Sequence, residues 1–521
     1  MLDDAFIKTA ARRTVTVNWV TRFWILLFAV FVVRALFAAL IPCDLVGDEA
    51  YYWDWGRRLS WGYFSKPPLI AWLMALAGWT GGNTAFGLRI WAAILGSGSM
   101  IFVFLLGRRM YGGKAGFWAA AMLAAMPGAA VLNLLLTIDA PLLFFWCAAL
   151  YLLHACLHSD KGWKRTLFAL ALCVTLGLGH LSKQIMWAFP VLAVIYLYFD
   201  GEDSRAKLRT PLLWAVFGVS YLFLVPTLVW NAHHGWITFL HTGHHFQGDG
   251  FLSFPKNLGE FAGMQLGLLS PVLAILVFGL SISGIWSWKR IASRERFLVV
   301  FSGLPLALVL LMTLRQSMNG NWAAAFYPAG MILLAGWACT ADASAFRFPS
   351  KLKSWARPGL WVAVAMSAFV YVMPVIISVS GMTGGKLDPL ARLRGWDEYA
   401  RQIQDARKLL PRSDAPILVA GHRYNLSELA FYLPDQPRVY HWASPGELDS
   451  QYEIWGGLDA LKGHDILIVS AMKDGVLPDD LRASLAASKP VGDVTVDVGN
   501  GRMLRFSLYW ASFIGAAEGA N

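Results

Sequence analysis

Apolar runs of membrane-spanning length recur along most of this chain, and they limit its fold more than any other feature. They lie at about 24–41, 87–107, 115–132, 140–157, 166–179, 185–199, 211–230, 261–286, 297–314, 322–340 and 360–380. A bilayer core offers no water to backbone N–H and C=O groups, so such runs close their hydrogen bonds as helices. Only 15% of the 521 residues are charged and 57% are hydrophobic, where a soluble domain carries about 25% charge. The chain therefore reads as a polytopic helical membrane protein with about eleven to thirteen spans. No small-residue cleavage site follows the basic N-terminal segment and first run, so that run is expected to stay as a span.

The net charge of +11 would suit a nucleic-acid binder, but its distribution argues for topology. Cations cluster in every second loop: Lys8, Arg12, Arg13 and Arg22; Arg108, Arg109 and Lys114; Lys161, Lys164 and Arg165; Arg205, Lys207 and Arg209; Lys289, Arg290, Arg294 and Arg296; Arg347, Lys351, Lys353 and Arg357. The positive-inside rule puts those loops and the N-terminus in the cytoplasm. Asp48, Asp139, Lys183, the 233–245 histidines, Asn321 and everything beyond 380 then share the opposite face, which in a bacterial inner membrane is periplasmic. The five cysteines show no CxxC or metal-site spacing, so no disulfide framework is expected.

Past 380 the pattern changes. Short apolar runs at 417–420, 466–469, 494–498 and 503–508 read as strands, and 426–432 and 477–487 as helices. Two domains are expected: a transmembrane catalytic domain over 1–380, whose first periplasmic loop is 42–86, and a soluble periplasmic α/β domain over 381–521. Residues 509–517 are apolar enough to rest on the bilayer surface.

The segment from Gly47 to Pro68 does not fit its apolar surroundings. It holds Asp48, Glu49, Asp54, Arg57, Arg58 and Lys66 among many aromatics, and charge beside a bilayer marks function. The pair Asp48 and Glu49 suits a general base, a metal ligand, a proton path or a helix cap. Tyr51 and Tyr52 suit an interfacial helix or a sugar ring. Lys66, presented from the stiff Lys66-Pro67-Pro68 turn, is a point cation for phosphate, and Arg57 and Arg58 are forked ones; lipid headgroups would serve all three equally. Asp139 opens a span, as a cap or a site carboxylate. Lys183 sits at a short corner where it could pair with Asp139, hold phosphate or snorkel. Asn321 and Trp322 offer amide and ring contacts to a sugar, or a cap and a belt residue. His241, His244 and His245 crowd a glycine-rich loop and leave a divalent metal open, without the spacing of a closed site. Nothing else points to a cofactor, and there is no P-loop or dinucleotide fingerprint.

Gly47-Asp48-Glu49-Ala50-Tyr51-Tyr52, the 63–68 turn, Asp139-Ala140-Pro141, Leu181-Ser182-Lys183 and Asn321-Trp322 together resemble the bacterial branch of the protein mannosyltransferase and aminoarabinose transferase superfamily. These are integral-membrane glycosyltransferases of the GT-C fold. The 422–432 segment is similar to their soluble tail. The resemblance implies a polyprenyl-phosphate-sugar donor, transfer with inversion, and a periplasmic acceptor. It implies Asp48 as base with Asp139 assisting, and Lys66, Lys183 and Arg58 on the donor phosphate. Lysine at 66, where protein-mannosylating members often carry histidine, is nearer the lipid A aminoarabinose transferases and the rhizobial lipopolysaccharide galacturonosyltransferases. The expected acceptor is therefore lipopolysaccharide core or lipid A. A protein O-mannosyltransferase-like enzyme is the alternative. A lipid-linked sugar transporter is the competing class, disfavoured because the ionisable residues gather at one face and no repeat is visible.

Overall fold

A computed structural model describes residues 18–515 except 42, 161, 245, 247, 249, 251, 252, 341–344, 387, 445, 447, 473 and 474, and without the side chain of His244. All eleven apolar runs are helical over most of their length. Among the described residues, seven helices are individually long and apolar enough to cross a membrane: Trp19–Leu40, Ala85–Tyr111, Asp139–Leu157, Pro211–His233, Ser293–Met312, Gly320–Cys339 and Ser350–Val379. The other runs are shorter, more polar or broken. The 115–132 run splits into Gly113–Ala125 and Pro127–Leu132, because the residue before a proline is pushed from helical to extended backbone; Met126 is extended. The 261–286 run is two helices, Phe254–Leu269 and Pro271–Trp286, bent by 110°. Pro271 cannot continue the first helix, and Ser270 takes a positive φ of 78° at the corner.

Beyond Val379 the chain builds a five-stranded sheet: β1 (Ile417–Ala420), β2 (Val439–Trp442), β3 (Asp465–Ser470), β4 (Leu485–Asp497) and β5 (Met503–Phe513), in the order β2-β1-β3-β5-β4. β1 is parallel to β2 and β3, while β5 is antiparallel to β3 and β4. β1 is buried along its whole length and β3 along nearly all of it, which is why both read as unbroken apolar runs. Two expectations change here. Residues 509–513 belong to β5, hydrogen-bonded on both edges, and 516–517 lie outside the described residues. The helix expected at 477–487 is confined to Asp479–Ala483, since β4 starts at Leu485.

One apolar cluster joins the two parts of the chain. Tyr51, Trp53 and Trp55 of the short helix Gly47–Gly56 share it with Leu426 and Leu429 of the helix Arg423–Tyr432 and with Ile417 and Val419 of β1. The Trp53 and Phe431 rings meet edge to face at 4.9 Å. Polar contacts fix the same seam. Tyr432 Oη accepts from Leu45 N at 2.8 Å, and Asp44 Oδ2 accepts from Trp396 N at 2.8 Å. The sheet domain is thus packed onto the first loop.

Candidate functional site

Asp48 and Glu49 open the helix Gly47–Gly56, and their side chains part. Glu49 is fully buried. It pairs with Arg89 at 3.0 Å and accepts from Leu136 N at 3.1 Å and Val46 N at 3.2 Å. Those bonds satisfy the helix start and anchor it to the span Ala85–Tyr111, so Glu49 is a positioning residue with no free oxygen face for substrate. Asp48 is half-buried, and its Oδ1 accepts from Tyr424 Oη at 2.8 Å. Gly47 permits this: a Cβ there would lie 2.4 Å from Tyr424 Cγ. Burial and the neighbouring Asp48 hold the Tyr424 phenol above its ordinary range, so it stays a hydrogen-bond donor to the carboxylate.

The Lys66 turn is tied to three separate segments. Phe64 N donates to Gln451 Oε1 at 2.6 Å, Thr238 Oγ1 donates to Tyr63 O at 2.7 Å, and Leu69 N donates to Leu181 O at 3.0 Å. The last bond sets Lys66 against the Lys183 corner. Lys183 Nζ donates to Asp139 Oδ1 at 2.7 Å, and Asn321 Nδ2 donates to Asp139 Oδ2 at 2.8 Å. Asp139 is thereby occupied on both oxygens and orients the lysine. Lys66 makes no ion pair among the described residues. Burial lowers its pKa, repulsion from Lys183 adds to this, and Asp48 and Asp139 act in the opposite sense. The other three charges therefore lie within electrostatic range of Lys66.

Lys66 and Lys183 border a cavity of about 600 Å³ whose other walls are nearly all apolar. Leu192 and Ile195 of the helix Ala188–Asp200 face Leu304, Leu308 and Met312 of Ser293–Met312 across it. Trp322 lines this groove and meets Phe246 at 5.5 Å, so its ring borders an apolar channel.

Several expected contacts are placed elsewhere. Arg57 donates to Gln436 O at 2.7 Å and pairs with Asp54 at 3.3 Å. Arg58 stacks on Trp455 at 4.2 Å. Both arginines clamp the C-terminal domain and lie away from the lysine-lined groove, because the first loop is covered by that domain. Tyr51 and Tyr52 are only 2% and 4% exposed, so neither offers an open ring face. Tyr51 Oη accepts from Gln451 N at 2.5 Å. Burial, and then Asp48, Tyr424, Tyr51 and Asp139, raise the Tyr52 phenol well above its usual range. His241 lies against Phe64 at 4.8 Å. His245 and the His244 side chain lie outside the described residues, and among the described residues no three metal-ligating side chains gather. Tyr424 and Arg423 are site neighbours that residue-level reading missed. Their only signal was the 422–432 segment itself.

The family described as dolichyl-phosphate-mannose-protein mannosyltransferase matches residues 65–230. ArnT from Cupriavidus metallidurans, solved with undecaprenyl phosphate bound, aligns over 97% of this chain and 99% of its own with a TM-score of 0.61 at 17% identity. The chain is a multi-pass membrane glycosyltransferase with the GT-C fold, similar in sequence to that family over residues 65–230. Lipid A galacturonosyltransferase RgtD of Rhizobium johnstonii is 27% identical over 426 residues, covering 79% of this chain and 82% of the relative. Lipopolysaccharide core galacturonosyltransferase RgtA of the same organism is 24% identical over 488 residues, covering 89% and 90%.

Proposed function

We propose that this protein moves a sugar, of the galacturonate or aminoarabinose class, from a polyprenyl-phosphate donor to lipopolysaccharide core or lipid A on the periplasmic side of the bacterial inner membrane. The observation that carries the reading is the pairing of Lys66 and Lys183 at the polar end of an apolar groove. A long isoprenoid chain suits the groove and its phosphate suits the two ammonium groups. Similarity to two lipopolysaccharide galacturonosyltransferases supports the acceptor and favours galacturonate.

The acceptor hydroxyl gives its proton to Asp48 as its oxygen bonds to the anomeric carbon. The bond from that carbon to the phosphate oxygen breaks, and polyprenyl phosphate leaves with the electron pair. A single displacement inverts the anomeric centre. Lys66, which has no carboxylate partner among the described residues, and Lys183, oriented by Asp139, stabilise the charge that grows on the leaving phosphate. Tyr424 fixes the Asp48 carboxylate and leaves Oδ2 for the hydroxyl. The test is incubation of the purified protein with polyprenyl-phosphate-galacturonate or polyprenyl-phosphate-aminoarabinose and lipopolysaccharide, read by mass spectrometry. One added sugar on lipid A or core is expected. An unaltered acceptor with both donors would overturn the proposal.

A further inference from the structure

A second cavity, of about 530 Å³, lies where the C-terminal domain meets the first loop and the helix Ile237–His244. Phe64, His241, Arg423, His441 and Asp449 are among its walls. Arg423 stands where this cavity meets the reacting centre. Its Nη2 is 3.5 Å from Tyr424 Oη, which donates to Asp48 at 2.8 Å. Its guanidinium also lies 4.9 Å from the Tyr424 ring and 5.6 Å from the Tyr51 ring.

The remaining donors of Arg423 have no acceptor among the described residues. Among the described residues no carboxylate pairs with it, and its buried Nε has no acceptor. The buried Arg89 and Arg407 and the half-buried Arg394 each hold a carboxylate within 3.2 Å. The other cavity groups do not fill this gap. Both nitrogens of His441 are engaged, by Glu453 and by Gly421 O, and Asp449 is exposed. A planar guanidinium with free N–H groups matches the two oxygens of a carboxylate or phosphate.

We infer that this cavity seats an oxyanion of the substrate pair on Arg423, beside the hydroxyl that Asp48 deprotonates, and so selects acidic substrates. The inference rests on the reading of Asp48 as the acceptor end of a sugar transferase. The oxyanion is either a phosphate of the acceptor or the carboxylate of the transferred sugar.

Binding to the full-length protein in nanodiscs separates these sources without requiring turnover. Four probes serve: lipid A with and without its phosphates, and polyprenyl-phosphate-galacturonate against polyprenyl-phosphate-galactose. Arg423→Gln is expected to weaken one probe that carries the tested phosphate or carboxylate about tenfold or more, and its counterpart lacking that group less than about twofold. Arg423→Lys should recover part of the loss. Loss on phosphorylated lipid A names the acceptor, and loss on the galacturonate donor names the sugar. Leu448→Glu, at an exposed position on the cavity wall, should reproduce the effect by placing a competing carboxylate there, and it guards against misfolding of the arginine variants. Equal weakening of both members of each probe pair, or no weakening of any, would overturn the inference. Discrimination without sugar transfer by the wild type would remove the transferase reading and leave the anion site standing.

Discussion

Asp48 and Glu49 are neighbours in sequence with different partners, and the difference is testable. Glu49 neutralises Arg89 out of water, so Glu49→Gln strands a buried cation and should cost about 3–5 kcal/mol of stability. It should appear as a large drop in the unfolding temperature of the purified protein. Asp48 is half-buried and accepts one hydrogen bond, from the Tyr424 phenol, so Asp48→Asn, which keeps an acceptor oxygen, should leave that temperature nearly unchanged. Gly47→Ala tests the third residue of the motif. Its methyl would displace the Tyr424 ring, and transfer should fall by about tenfold or more as the charged hydrogen bond to Asp48 is lost. Tyr424→Phe should give a similar fall without the steric strain, and transfer at the wild-type rate in both variants would remove Tyr424 from the account.

At the scale of elements, the two-lysine corner depends on the hydrogen bond from Leu69 to Leu181, and the C-terminal domain depends on a buried pair. His441 on β2 bonds Glu453 on the helix Gln451–Trp455. Burial opposes its charge, but Glu453 and Gly421 outweigh this and raise the His441 pKa above 6.5. Burial pushes Glu453 up, yet His441 and Ser450 bring it below 4.5. The histidine contribution is full below 6.5 and fades as pH rises through the raised value. The glutamate contribution is full above 4.5 and fades as pH falls through the lowered one. Hydrogen-exchange protection of 439–455 should therefore peak between those limits, and His441→Gln should flatten its alkaline side. The apolar runs were legible because a span writes itself locally, as a long stretch without charge. Their breaks at Met126 and Ser270 were marked by Pro127 and Pro271 but overridden by the uniform hydropathy around them. β2 was not legible: Val439-Tyr440-His441-Trp442 is short and carries a histidine that only its partner Glu453 explains.

Over the whole molecule, the site is assembled across the chain. Asp48 and Tyr424 are 376 positions apart, and Phe64 and Gln451 are 387 apart. Nearby sequence could mark Asp48, Lys66, Asp139 and Lys183 as unusual for their surroundings. It could not reveal that Arg57 and Arg58 are spent on C-terminal carbonyl and ring partners, since those partners are distant in sequence. The same packing implies that the sheet domain completes the site, so a chain ending at Ser380 should insert in the membrane and transfer no sugar. Lys66→Ala should weaken binding of a polyprenyl-phosphate-sugar about tenfold or more by removing a cation that no carboxylate pairs among the described residues. The central claim is that Asp48 accepts the proton of the attacking hydroxyl while the lysines hold the donor. The most direct measurement is the initial rate of sugar transfer by Asp48→Asn, with donor affinity read on the same preparation. The account predicts a fall in rate of about 10²–10⁴-fold with donor affinity intact. Transfer at the wild-type rate would contradict it.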